Sequence, residues 1–170
     1  MNKSSLEIER KFIIRIPDTD KLSELPDYTR SRIIQTYLES SDSVTLRVRF
    51  REYEGRVEYT ETEKRRVDYM SAEEREREIT SDEYGRLLQN IKQGTSPIEK
   101  TRYTFSYCGQ LYEVDIYPRW KHSCIMEAEL KSPDCELIVP PFIELVREVT
   151  GDKTYSNASM SRHFPPEDEE

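Results

Sequence analysis

The sequence predicts an α+β fold, an antiparallel sheet with a few helices on its outside. Three observations lead there. Residue type alternates with period two along most of the chain, helical patterns are few, and the charges on one face of each strand segment are grouped by sign. The 170 residues suit one domain with a real core.

The alternation is clearest near the N-terminus. Residues 6–14 put Leu6, Ile8, Phe12 and Ile14 on one side, interrupted by Arg10, and Glu7, Glu9 and Lys11 on the other. Residues 44–51 set Val44, Leu46, Val48 and Phe50 against Thr45, Arg47, Arg49 and Arg51. Thr60, Thr62 and Lys64 share a face within 58–64, and Glu74, Glu76 and Glu78 alternate with Arg75, Arg77 and Ile79 within 73–79. Residues 99–107 oppose Lys100, Arg102 and Thr104 to Thr101, Tyr103 and Phe105. Glu113 and Asp115 stand against Tyr112, Val114 and Ile116, and Glu127, Glu129 and Lys131 against Met126, Ala128 and Leu130. With Ile33 to Leu38 the pattern gives about eight strands.

Four short helices are expected. One follows Pro17 through Leu22 and Leu25. A second is capped by Thr80 or Ser81, carries Tyr84, Leu87, Leu88 and Ile91, and stops at Gly94. A third opens at Pro140 and Pro141 with Phe142, Leu145 and Val146, and a fourth runs from about Asp152 to Arg162. Trp120, with Lys121 and His122, falls between strands and is expected in a surface loop.

Composition narrows the function. Apolar and charged residues each make up 35% of the chain, against the usual quarter charged. Eleven Tyr and five Phe argue against disorder. A net charge of −8 excludes a general nucleic-acid binder, which needs a basic footprint. Cys108, Cys124 and Cys135 lack metal-ligand spacing and read as free or buried thiols of a reducing compartment. His122 and His163 also lack ligand spacing. No apolar run is long enough to span a membrane, so a cytoplasmic protein without membrane partners is expected. Residues 1–164 read as one domain and 165–170 as an acidic, solvated tail.

A sheet with one solvated face also shows charge on alternate residues. Two features oppose that reading. Like charges recur on neighbouring same-face positions, where they repel unless something lies between them. The helices are also too few to cover a wide open sheet, whereas barrel closure removes the edges. Paired carboxylates suit a hard cation, and paired Arg and Lys suit phosphate oxygens. Together they suit a polyanionic phosphate chain bound with its metal. No Gly-x-x-x-x-Gly-Lys-Ser/Thr loop is present.

The run Glu7-Ile8-Glu9-Arg10-Lys11-Phe12 resembles the Glu-x-Glu-x-Lys signature of the CYTH superfamily, the triphosphate tunnel metalloenzymes. Gln35-Thr36-Tyr37-Leu38, Leu46-Arg47-Val48-Arg49, Glu99-Lys100-Thr101-Arg102-Tyr103, Glu113-Val114-Asp115 and Glu127-Ala128-Glu129-Leu130 resemble its later strands, and residues 149–157 its C-terminal segment. Small bacterial members of tripolyphosphatase type look most similar. The resemblance implies a closed eight-stranded antiparallel tunnel with a C-terminal plug helix, its charged face inward. It implies Mg²⁺ or Mn²⁺ on Glu7, Glu9 and Glu129, and a triphosphate-bearing small molecule on Lys11, Arg47, Arg49, Lys64, Lys100 and Arg102. Lys11 and Lys64 join the three metal ligands as the catalytic set, with Glu74, Glu76, Glu113, Asp115 and Glu127 in support. The expected activity is metal-dependent triphosphate hydrolysis, inorganic tripolyphosphate favoured over nucleoside or thiamine triphosphate. The alternatives are a class IV adenylyl cyclase and a non-catalytic polyphosphate-binding module, and a homodimer is compatible. Ile34, Ala72 and Thr154 stand where relatives often carry Arg, and Thr36 replaces a Gly.

Overall fold

A computed structural model describes residues 3–168. It contains nine strands: β1 (Lys3–Arg15), β2 (Thr29–Leu38), β3 (Thr45–Tyr53), β4 (Arg56–Arg66), β5 (Ser71–Ile79), β6 (Ile98–Tyr107), β7 (Gln110–Ile116), β8 (Ser123–Glu129) and β9 (Leu145–Glu148). They form one antiparallel sheet in the order β5-β4-β3-β2-β6-β7-β8-β1-β9, and a β5–β1 pairing closes the first eight into a barrel. β1 is the seam. Its residues 3–8 pair with β5 and residues 9–15 with β8.

β9 replaces the helix expected after Pro140 and Pro141. The β5 ladder ends at Ile8, which leaves the backbone of β1 open further on. Phe12 faces Met126 across one edge and Glu148 across the other, so β9 satisfies that open edge. Helix propensity lost to a waiting hydrogen-bond ladder.

The other helices form, shorter than expected. α1 spans Thr19–Ser23 and buries Leu22. α2 spans Ser81–Leu87, with a capping box between Thr80 and Glu83, and tightens into a 3₁₀ turn over Leu88–Asn90. Ile91 leaves the helix to bridge Leu38. The last segment divides into a 3₁₀ turn (Lys153–Tyr155) and α3 (Asn157–Arg162), separated by Ser156, which caps α3.

The apolar residues pack mainly outside the barrel wall. Phe12, Ile14, Tyr103, Phe105, Tyr112 and Met126 are buried on the outer face, under Leu22 of α1 and Ile143. Leu38, Val48 and Ile79 are covered by Tyr84, Leu87 and Leu88 of the α2 region. Full burial of such a side chain is worth about 1.5–3 kcal/mol, so the wall is stabilised chiefly from outside. Leu6 lies beyond this cover and is 59% exposed. A third cluster, with Ile13, Ile125 and Tyr117 of the wall region, packs against Val149, Tyr155 and Met160.

Trp120 belongs to that third cluster and is 5% exposed. Its loop is at the surface as expected, but its indole is not. Tyr117, three residues back, surrounds the ring together with Tyr155 and Phe164, and the latter two are distant partners that sequence periodicity could not reveal. The expected solvated tail is also corrected. Glu167 accepts backbone N–H groups of Lys121, His122 and Ser123, and Asp168 pairs with Arg147. Glu169 and Glu170 lie outside the described residues. Cys108, Cys124 and Cys135 are free. Among the described residues, no helix is long and apolar enough to cross a membrane.

Candidate active site in the barrel interior

Strand register sets the chemistry of the inner wall. Glu9 lies opposite Glu129, Lys11 opposite Glu127, Lys64 opposite Glu74, and Arg102 opposite Asp115. A cavity of about 800 Å³ is lined by this face. Its acidic wall includes Glu7, Glu9, Glu74, Glu76, Glu127 and Glu129, with Glu113 beside them. Lys11, Arg47, Arg49, Lys64 and Arg102 supply positive charge. The sequence-predicted set is thus brought together, with two exceptions. Lys100 and Asp115 do not line the cavity but lie behind it, each 1% exposed.

Those two anchor a buried ionic floor. Lys100 Nζ stands 2.7 Å from Asp115 Oδ2, and the Arg102 guanidinium forks onto the same carboxylate at 2.7 and 2.8 Å. Arg102 also pairs with Glu113. Despite full burial, the two cations hold the Asp115 carboxyl down to about 2. One carboxylate serving two cations leaves Lys100 short of negative charge: burial and the neighbouring Arg102 push it down to about 7.

The arginines nearer the cavity are less satisfied. Arg47 reaches Glu74 only at 3.8 Å, and Arg49 donates to Gln35 Oε1 at 3.4 Å. Among the described residues, neither Nε atom has a hydrogen-bond partner, and both are buried. Burial and repulsion from Arg47 and Arg102 push Arg49 down to about 10. An anion accepting from these groups would relieve both penalties.

The carboxylates show the opposite imbalance. Lys64 is the shared cation of Glu7 and Glu9, each at 4.0 Å, and of Glu74 at 3.8 Å. Burial and the nearby Glu74 raise the Glu7 carboxyl to about 7; burial and Glu127 raise Glu9 to about 8. Burial and the charges of Glu113 and Glu127 raise Glu129 as well. Glu127 goes the other way, held well below the usual range by Lys11, whose ammonium is 3.2 Å away. Among the described residues no three His, Cys, Asp or Glu side chains are already gathered as a metal cage. The donor set of Glu7, Glu9 and Glu129 still suits a hard cation: all oxygen, on adjacent strands, and repelled by neighbouring negative charge.

These shifts carry a sign in pH. Unfolded, Glu7 and Glu9 ionise near 4.5; folded, they hold protons to about 7 and about 8. Their stabilisation is complete below the unfolded value and is lost as pH rises towards the folded values. Lys100 adds stability with rising pH only above about 7, so the carboxylates dominate the window below that. Thermal melts in chelator should therefore shift downward from about pH 5 to about pH 7, and Glu9→Gln should flatten the slope. A rising melt over that window would contradict the cluster's electrostatics.

Several cavity residues escaped sequence reasoning. Arg66 sits two residues beyond Lys64 on the same face, and extending the alternation by one step would have found it. Lys153, Ser156, Asn157 and Ser159 arrive on the C-terminal cap, where no periodicity marks them. Tyr37 is 4% exposed, yet it lines the cavity and its hydroxyl accepts from Gln35 Nε2 at 2.9 Å. Ile34 pairs across the sheet between the inward positions Ile33 and Gln35 and so faces outward; an Arg there would not reach the cavity. Thr154 does not line it either, whereas Ala72 faces inward opposite Glu7.

A closed antiparallel tunnel whose inner wall opposes arginines to carboxylates defines a CYTH-like tunnel protein. Comparison with known proteins gives the relatives. The chain is similar to the crystal structure of the inorganic triphosphatase NE1496, with 30% identity, a TM-score of 0.58, and 94% and 96% of the two chains covered. It therefore belongs to the family of that protein. The inorganic triphosphatase of Acetivibrio thermocellus is 29% identical over 157 residues, 92% of this chain and 94% of the relative. A putative adenylate cyclase from Bacillus halodurans shares the fold at 19% identity, with a TM-score of 0.52 over 76% of this chain and 82% of the other. No family model matches the chain.

Proposed function

We propose that this protein hydrolyses a triphosphate-bearing small molecule, inorganic tripolyphosphate first among them, with Mg²⁺ or Mn²⁺. The observation that carries the reading is the double imbalance of one cavity. Arg47 and Arg49 hold buried donors without acceptors, while Glu7, Glu9 and Glu129 are carboxylates in need of positive charge. A metal-bound polyphosphate supplies both deficits at once. The naming of two relatives over nearly full length as inorganic triphosphatases supports the same reaction.

The residues divide by position. Arg47 and Arg49 would donate to the phosphate oxygens, with Lys11 and Lys64 bordering the acidic wall. Lys100 and Arg102, expected as phosphate contacts, instead fix the floor through Asp115, although Arg102 still lines the cavity. Glu74, Glu113 and Glu127 hold Arg47, Arg102 and Lys11 in place. Glu76 accepts from Thr62 at 3.1 Å. A divalent cation bound by Glu7, Glu9 and Glu129 would neutralise charge on the phosphate chain. Prearranged cations around the departing phosphate stabilise the charge that develops on it, while water adds to phosphorus and the anhydride oxygen leaves.

A phosphate-release panel tests this on tripolyphosphate, ATP and thiamine triphosphate, with Mg²⁺ or Mn²⁺ and with chelator. Release from tripolyphosphate that disappears in chelator is the expected result. Cyclic AMP from ATP would instead indicate a cyclase, and tight binding without turnover a polyphosphate-binding module.

A further inference from the structure

The cap over the cavity is built from pieces too small to hold themselves. α3 has six residues and the preceding 3₁₀ turn three, far below the roughly 12–15 residues at which an isolated helix becomes even marginal. Yet Lys153, Ser156, Asn157 and Ser159 of this segment line the cavity. Some tie must order them. Tyr117 reaches Asn157 Oδ1 at 2.9 Å, and Lys11 Nζ reaches the Tyr155 carbonyl at 3.2 Å, but Lys11 is shared with Glu127.

The densest tie lies just beyond α3, on the side away from the cavity. The Glu167 carboxylate accepts three consecutive backbone N–H groups, those of Lys121, His122 and Ser123. Trp120 donates its indole N–H to the Pro165 carbonyl at 3.1 Å, and Phe164 packs edge-on to Trp120 and Tyr117. Arg147 of β9 bonds both Asp168 and the hydroxyl of Tyr155, joining strap, cap and wall through one guanidinium. Charge-assisted bonds from backbone N–H groups to a carboxylate are among the stronger hydrogen bonds.

We infer that residues 164–168 are a strap that fastens the cavity cap to the barrel, and that Glu167 is its positioning residue. Glu167 does not touch the cavity, so it acts on substrate only through the order of α3. If releasing it leaves the cap closed in about a tenth of molecules, apparent affinity falls about tenfold while turnover at saturation is retained. The affinity consequence rests on the triphosphatase reading; the fastening itself does not.

Two measurements on the full chain keep these apart. In hydrogen exchange, Glu167→Ala should speed exchange at the amides of Lys121, His122 and Ser123 and across α3, with β1 to β7 and the rest of β8 unchanged. In the phosphate-release assay with tripolyphosphate, the same variant should raise KM about tenfold with kcat nearly kept. Glu167→Gln, which keeps an acceptor oxygen, should fall between the variant and wild type. Trp120→Phe, which removes the indole donor together with part of the ring packing, should loosen α3 in the same direction. Unchanged exchange across α3 in Glu167→Ala would overturn the strap. Faster exchange with an unchanged KM would overturn the positioning role, and absence of activity in the wild type would fall on the triphosphatase reading alone.

Discussion

Glu9→Gln should lower the rate of tripolyphosphate hydrolysis by about two to three orders of magnitude while the protein stays folded. Glutamine has the same shape but cannot ionise, and Glu9 stands at the centre of the proposed metal set, opposite Glu129 across the β1–β8 ladder. The variant should also melt higher than wild type in chelator near pH 8. The Glu9 carboxyl titrates there at about 8, because burial and Glu127 disfavour its charge. A neutral amide avoids that penalty, so stability should rise as activity falls, as happens when an active site holds unfavourable charge. Circular dichroism melts and phosphate release measured on the same preparation decide it. Substantial turnover in Glu9→Gln would remove Glu9 from the metal set.

Arg102→Ala should damage the fold first, with a loss of about 3–5 kcal/mol. Its guanidinium is committed to Asp115 and Glu113. Removing it leaves Glu113 unpaired near Glu127 and Glu129, and leaves Asp115 to Lys100 alone. Lysine at this position should restore little, because it lacks the two-pronged fork that meets both Asp115 oxygens. Arg47→Ala should behave in the opposite way. Its ion pair with Glu74 is 3.8 Å long, and Glu74 keeps Lys64 as a partner. Stability should then fall by less than in Arg102→Ala, because an under-satisfied buried cation leaves together with its own desolvation penalty, while tripolyphosphate affinity falls about tenfold or more through loss of a charge-assisted donor. Denaturant melts and titration calorimetry separate the two effects. A wild-type melt for Arg102→Ala would show that the ionic floor is not structural.

The wall was legible in the sequence because period-two alternation records which face a residue occupies. It does not record height along the barrel. That is why Lys100 and Arg102 read alike, although one is sealed behind the cavity and the other lines it. Pairing with distant strands was equally hidden: Leu145 and Val146 follow a proline pair that reads as a helix start, and only the open edge of β1 makes them a strand. Trp120 and Glu167 depend on partners about 45 residues away, which no local pattern encodes. The grouping of charge by sign was visible, but its inward direction came from resemblance to a known family, and closure through β5 and β1 gives it a structural basis.

β1 is paired along residues 3–8 with one strand and along residues 9–15 with another, and it alternates Glu7, Glu9 and Lys11 with outward Ile8, Arg10 and Phe12. It is therefore a length standard for the whole molecule. Substitutions along it can retune the chemistry one group at a time, but inserting or deleting a single residue would turn the downstream side chains to the wrong face. Phe12 and Ile14 would then point into the ionic interior, and the carboxylates would be carried out towards the apolar shell. Variation in the number of residues belongs in the hairpins and the C-terminal cap; within this strand only the letters can change.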